Sequence, residues 1–139
     1  MDPTTQSLGE YLKAARGDIV ERRESAMKTL IRLNEAEAKA FWPLKSQYDA
    51  ELKALGDTRG ALLREYAKVS KTATAEQAKD IAARSFKLDD ERNALRRKYF
   101  DLMAEKVSPL AAAQWLQLER QFETMMDLKI QSVVPLAGD

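Results

Sequence analysis

Apolar positions in this chain keep helical time, and they do so in four stretches. In the first, about residues 5–32, Leu8, Leu12, Ala15, Ile19, Ala26, Leu30 and Leu33 fall at mostly helical spacings. Gly9 and Gly17 each cost roughly 1 kcal/mol against alanine inside a helix. Fraying is therefore expected before Asp18, and firm helix through IVERRESAMKTLIR. The second stretch, 35–70, is the most regular: Phe41, Tyr48, Leu55, Leu62 and Val69 are seven apart, with Lys45, Leu52, Arg59 and Tyr66 interleaved. That 4-3 rhythm keeps one face against a partner helix, and Lys45 and Arg59 interrupt it. The third, 75–106, repeats the rhythm with Ile81, Leu88, Leu95 and Leu102, and with Ser85, Arg92 and Tyr99 between them. The fourth, 109–133, carries Trp115, Leu118, Phe122, Met125, Ile130 and Val133 and ends before Pro135.

The breaks between stretches share one device. Asn34 with Glu37, and Thr74 with Gln77, match the capping box, in which a short polar side chain and an acid or amide three residues on satisfy each other's backbone donors. Ser108 caps the last stretch with Pro109 at the first helical position, where a missing N–H costs nothing. One residue resists the pattern. Pro43 follows Phe41 and Trp42 more than two turns inside the second helix, where it releases the carbonyl of Lys39 and predicts a kink. Gly56 and Gly60 predict a bend or a close approach to the same helix.

These elements predict an all-α fold in a single helical domain spanning 1–139. Two long helices with matching seams form an antiparallel hairpin, the first of them kinked, with N- and C-terminal helices packed along it in a coiled-coil-like manner. An elongated hairpin leaves part of its seam uncovered, which predicts a homodimer.

Composition narrows the chemistry. The 139 residues are 32% charged, with 23 basic and 22 acidic side chains, so no bulk field favours nucleic acid. The absence of cysteine removes disulfides and thiol chemistry, and the absence of histidine removes the usual general base and transition-metal ligand. No apolar run has the length of a membrane span, and MDPTTQSLGEYLKAARGD lacks the apolar centre of a signal peptide.

The restarts LNEAEAKAF, ATAEQAKDI and VSPLAAAQW resemble the LTxxQ signature of Spy/CpxP-type periplasmic proteins. LNEAEAKAFWPLKSQYDAEL looks like an uncharacterised branch carrying F-W-P at that place, and the later Q-L-E and V-P-L are similar to the end of that branch. The likeness covers roughly residues 18–136. It implies a cradle-shaped antiparallel dimer in the periplasm that binds unfolded or partner proteins, with any signal peptide already removed. Some such proteins bind zinc, but a chain without His or Cys is expected to hold no metal and no cofactor.

Among the residues themselves, LDDER at 88–92 is the densest acidic group, yet its carboxylates fan around a helix and read as a solvated face. Glu119 is the one acid flanked by seam residues, and it is expected to pair with an arginine across the bundle. No nucleophile motif or phosphate loop is present, so no catalytic residue is assigned and the chain is read as a non-enzyme. Candidate protein-binding residues are the aromatics Phe41 and Trp42, the basic Arg92, Arg96 and Arg97, and the adaptable Met103, Met125 and Met126. The leading reading is a chaperone or envelope-stress protein binding on a curved helical face. The alternative is a structural or regulatory protein that docks one folded partner, and a third reading is a cytosolic coiled-coil adaptor.

Overall fold

Each predicted restart is a helix start in the computed structural model, which describes residues 5–138, with side chains from Leu8 onward. Helix α1 spans Thr5–Leu30, α2 Glu35–Val69, α3 Ala75–Lys106 and α4 Pro109–Gln131, and among the described residues there is no strand. The caps follow the local chemistry. Asn34 and Glu37 exchange bonds of 2.8 and 3.1 Å, Thr74 and Gln77 bonds of 3.1 and 3.0 Å, and the Ser108 hydroxyl accepts from the Ala111 N–H at 3.0 Å.

Each helix packs on its sequence neighbours, and α4 packs back on α1. Cross-helix pairs set the directions. Arg16 meets Asp57 and Arg23 meets Asp49 between α1 and α2, while Glu51 meets Tyr99 and Glu65 meets Arg84 between α2 and α3. Arg92 meets Asp127 and Arg96 meets Glu123 between α3 and α4, and Arg23 meets Glu119 while Leu8 and Leu12 pack with Ile130 between α1 and α4. In every pair the numbers run in opposite senses, so the helices alternate up and down in an antiparallel four-helix bundle.

The core has two parts. The larger gathers Ile19, Met27, Ile31, Phe41, Tyr48, Leu95, Tyr99, Met103, Trp115 and Phe122 from all four helices. At its centre the Tyr48 ring meets Trp115 edge-on at 4.9 Å and Tyr99 at 5.5 Å, an arrangement that the ring quadrupoles favour. The smaller part joins Leu8 and Leu12 to Ile130, with Leu63, Ala67, Val133 and Val134 around them. Past α4, the Pro135 carbonyl accepts from the Tyr66 hydroxyl at 2.6 Å, and the Gly138 N–H donates to the Ser70 carbonyl at 2.7 Å.

One expectation changes here, and two others gain detail. Helix α1 is continuous from Thr5, across the segment expected to fray. Leu8, Leu12, Ala15 and Ile19 are all buried, and burying one leucine contributes about 1.5–3 kcal/mol, more than a glycine costs. Much of the seam of the long hairpin is covered within one chain: Phe41, Tyr48, Leu62, Leu88, Leu95 and Tyr99 are buried, while Leu52, Leu55, Val69, Ile81 and Leu102 are half-buried. The flanking helices thus close part of the seam that a second copy was expected to cover. At Pro43, where a kink is expected, α2 continues as helix on both sides, with the proline on the exposed face while Phe41 points inward. Lys39 is also exposed, so the carbonyl that proline leaves free is open to water, and the helix tolerates the missing donor.

The close approach expected at the helix glycines is made by a side chain. A Cβ on Gly56 would lie 3.0 Å from Nη2 of Arg16. That guanidinium crosses the gap to donate to the Lys53 carbonyl at 3.1 Å and to Asp57 at 2.9 Å.

Candidate functional site

Two polar assemblies stand out, one inside the bundle and one on its surface. The inner one begins with Arg23. It continues the α1 stripe of Ile19 and Met27 at four-residue spacing, so the helix carries a guanidinium into the core. Its Nε lies 2.5 Å from Oε1 of Glu119, and its Nη2 pairs with Asp49. The Nε–H is not aligned on Glu119, so that contact is an ion pair without a directed hydrogen bond. Lys45, the residue that interrupted the α2 seam, is buried because Glu24 and Asp49 (2.6 Å) neutralise it. Glu24, Lys45, Asp49, Arg23 and Glu119 thus form one chain of alternating charge through α1, α2 and α4.

Burial shapes the titration of this chain. It pushes the Glu119 carboxyl above its ordinary range, although Arg23 pulls the other way. Burial alone would lower the Arg23 value, but Glu119 and Asp49 more than offset it. The Tyr48 hydroxyl is driven well above its usual value by burial and then by the Glu119 charge, so it stays protonated. The guanidinium of Arg23 also lies 5.9 Å from the centre of the Tyr48 ring. Oε2 of Glu119 and Nε1 of Trp115, one helical turn apart on α4, are both buried without a hydrogen-bond partner in the structure.

The outer assembly is a groove between α3 and α4. Arg92 pairs with Glu123 at 2.8 Å and approaches Asp127 and Asp89 at 3.7 and 3.9 Å, and Arg96 also pairs with Glu123. Asp127 accepts from Arg59 of α2 at 2.7 Å. Arg96, Arg120, Glu123, Thr124 and Asp127 line an open pocket of about 320 Å³. Burial, and then the neighbouring Arg92 and Arg120, hold the Arg96 value below the ordinary one.

The residues proposed from sequence separate into different surroundings. Phe41 and Met103 are wholly buried, which removes them from any contact surface and makes them core. Trp42 is half-buried, edge-on to Phe41 at 4.9 Å, and Met125 and Met126 are half-buried against the core. Arg92 and Arg96 come together in the groove. Arg97 does not join them; it is exposed and has no ion pair among the described residues. Glu119 does pair with an arginine across the bundle, as its flanking apolar residues implied.

Sequence reasoning noted Lys45 only as an interruption of the α2 seam, and it overlooked Arg23 and Asp49 in the inner chain and Arg120, Glu123 and Asp127 in the groove. The signal for Arg23 and Lys45 was their position on apolar stripes, where a charge survives only if paired. Among the described residues no group of three or more acidic side chains could hold a metal ion, and no helix is long and apolar enough to cross a membrane. Asp89 and Glu91 of the LDDER segment instead sit 3.9 Å from Arg92 and Lys87. No family model matches the chain, and neither a curated protein nor a solved structure matches it.

Proposed function

We propose that this chain is a non-enzymatic periplasmic protein-binding module that docks one specific folded partner. The observation that carries this reading is the closure of the bundle over its adaptable residues. Phe41, Tyr48, Met103 and Trp115 are each 1% exposed or less, while Arg92 and Arg96, largely covered themselves, are fixed by Glu123 along the α3–α4 groove. Unfolded clients share no sequence and need broad, compliant apolar contact. Charges held in place favour a partner with a matching pattern, because a misplaced like charge costs several kcal/mol. The periplasmic location rests on the resemblance of the helix restarts, and fractionation of cells expressing the native gene tests it.

The Spy/CpxP-like holdase is the second reading. It is favoured by Phe86, Leu110, Leu128 and Leu136, large apolar side chains that are each more than two thirds exposed. An aggregation assay with two unrelated unfolding proteins, without ATP, separates the two. Docking predicts that equimolar chain protects neither client, and that cross-linking in a periplasmic extract yields one dominant stoichiometric adduct. Protection of both clients, weakened only in part by salt because apolar contact is not screened, moves the conclusion to the holdase.

A further inference from the structure

The α3–α4 groove has more positive charge than it can neutralise. Three guanidinium groups, Arg59, Arg92 and Arg96, are paired with three carboxylates, Asp89, Glu123 and Asp127, and a fourth, Arg120, lines the same pocket. Four minus three leaves one. The surplus falls on Arg120, which lines the pocket, is exposed, and has no ion pair among the described residues. Thr124 adds no free donor, since its hydroxyl already donates to the Arg120 carbonyl at 2.8 Å.

Resting on the protein-binding reading, we infer that this groove takes a single carboxylate from the partner protein, held by the fork of Arg120 with Arg96 behind it. A planar guanidinium binds a carboxylate through two parallel N–H bonds, which fixes orientation as well as charge. A doubly charged group fits poorly, because Glu123 and Asp127 stand in the same lining and repel the second negative charge. The pocket is open and about 320 Å³, enough for a carboxylate and its short stem presented from another surface. An acidic side chain and a chain terminus share this chemistry.

The test follows the arginine Nε–Hε signals of isotope-labelled protein by NMR. A capped Gly-Ser peptide bearing one glutamate is expected to shift the Arg96 and Arg120 signals saturably, and the glutamine version to leave them in place. Arg120→Gln weakens that binding roughly fivefold, the size of an exposed charge pair, and Glu123→Gln strengthens it by a similar factor. Arg120 is exposed, so its replacement leaves the fold intact. An uncapped Gly-Ser peptide without glutamate identifies the source: if it shifts the same signals, a terminal carboxylate serves as well. Equal shifts from the glutamate and glutamine peptides, or unchanged affinity in Arg120→Gln, overturn the inference. Either result leaves the docking reading standing, since that reading is judged by aggregation and cross-linking.

Discussion

Replacing Glu119 by leucine tests whether the inner charge chain is a coupled unit. The side chains of Arg23 and Glu119 are only 8% and 4% exposed, so water screens neither. Removing one partner of such a pair leaves an uncompensated buried charge, which typically costs about 3–5 kcal/mol. Arg23 would keep Asp49, whose side chain is 28% exposed, so the lower figure of about 3 kcal/mol applies. Arg23→Met alone leaves Glu119 facing Tyr48 and Asp49 and costs a similar amount. The double variant buries apolar groups of comparable size and is expected within about 1 kcal/mol of the parent. Urea unfolding followed by far-UV circular dichroism gives the three differences, with the slope checked for two-state behaviour. A coupling of at least about 2 kcal/mol between the two sites supports the reasoning. Additive losses, or a Glu119→Leu loss under about 1 kcal/mol, refute it, because they mean that the pair is solvated in solution.

Glu119 also gives a pH dependence. Its folded value is raised, so its stabilising contribution is present below the ordinary carboxylate pKa and lost as pH rises through the folded value. As pH rises above the ordinary carboxylate range the parent should therefore lose stability relative to Glu119→Gln, and parallel profiles would contradict this. Gly17→Ala should raise stability by about 1 kcal/mol, since nothing lies within 4 Å of the added carbon in a helix interior; a lower melting temperature would count against it. Pro43→Ala should also stabilise, by up to about 3 kcal/mol, because it restores a donor on an exposed face, and a loss in thermal unfolding would show that proline sets the packing of Phe41 and Trp42.

The helix starts were legible in the sequence because capping is local chemistry: Asn34 with Glu37, Thr74 with Gln77, and Ser108 with Pro109 need no tertiary information. Glu119 was legible for a related reason, since an acid among seam residues needs a cation. Which cation was not. Arg23 lies in VERRES, where charges surround it on both sides, and only folding brings α1 against α4. The coverage of the hairpin seam was hidden in the same way. A heptad rhythm says that a face is covered, but not whether another chain or the flanking helices of the same chain cover it. The groove was half legible, because α3 displays Arg92 and Arg96 in one run while Arg120, Glu123 and Asp127 lie on a different helix.

The packing of α4 against α1 bears on how fast the chain folds and unfolds. Neighbouring antiparallel helices make contacts between residues near in sequence, so the α2–α3 hairpin can form early at small entropic cost. The Arg23–Glu119 contact closes a loop of about a hundred residues and is the natural last step. Interactions made after the transition state slow unfolding without accelerating folding. Weakening this contact should therefore steepen the escape from the native state while leaving refolding nearly unchanged. Loss of this ion pair is then expected to shorten the bundle's lifetime more than it changes the rate of formation, beside the apolar α1–α4 contacts of Leu8, Leu12 and Ile130.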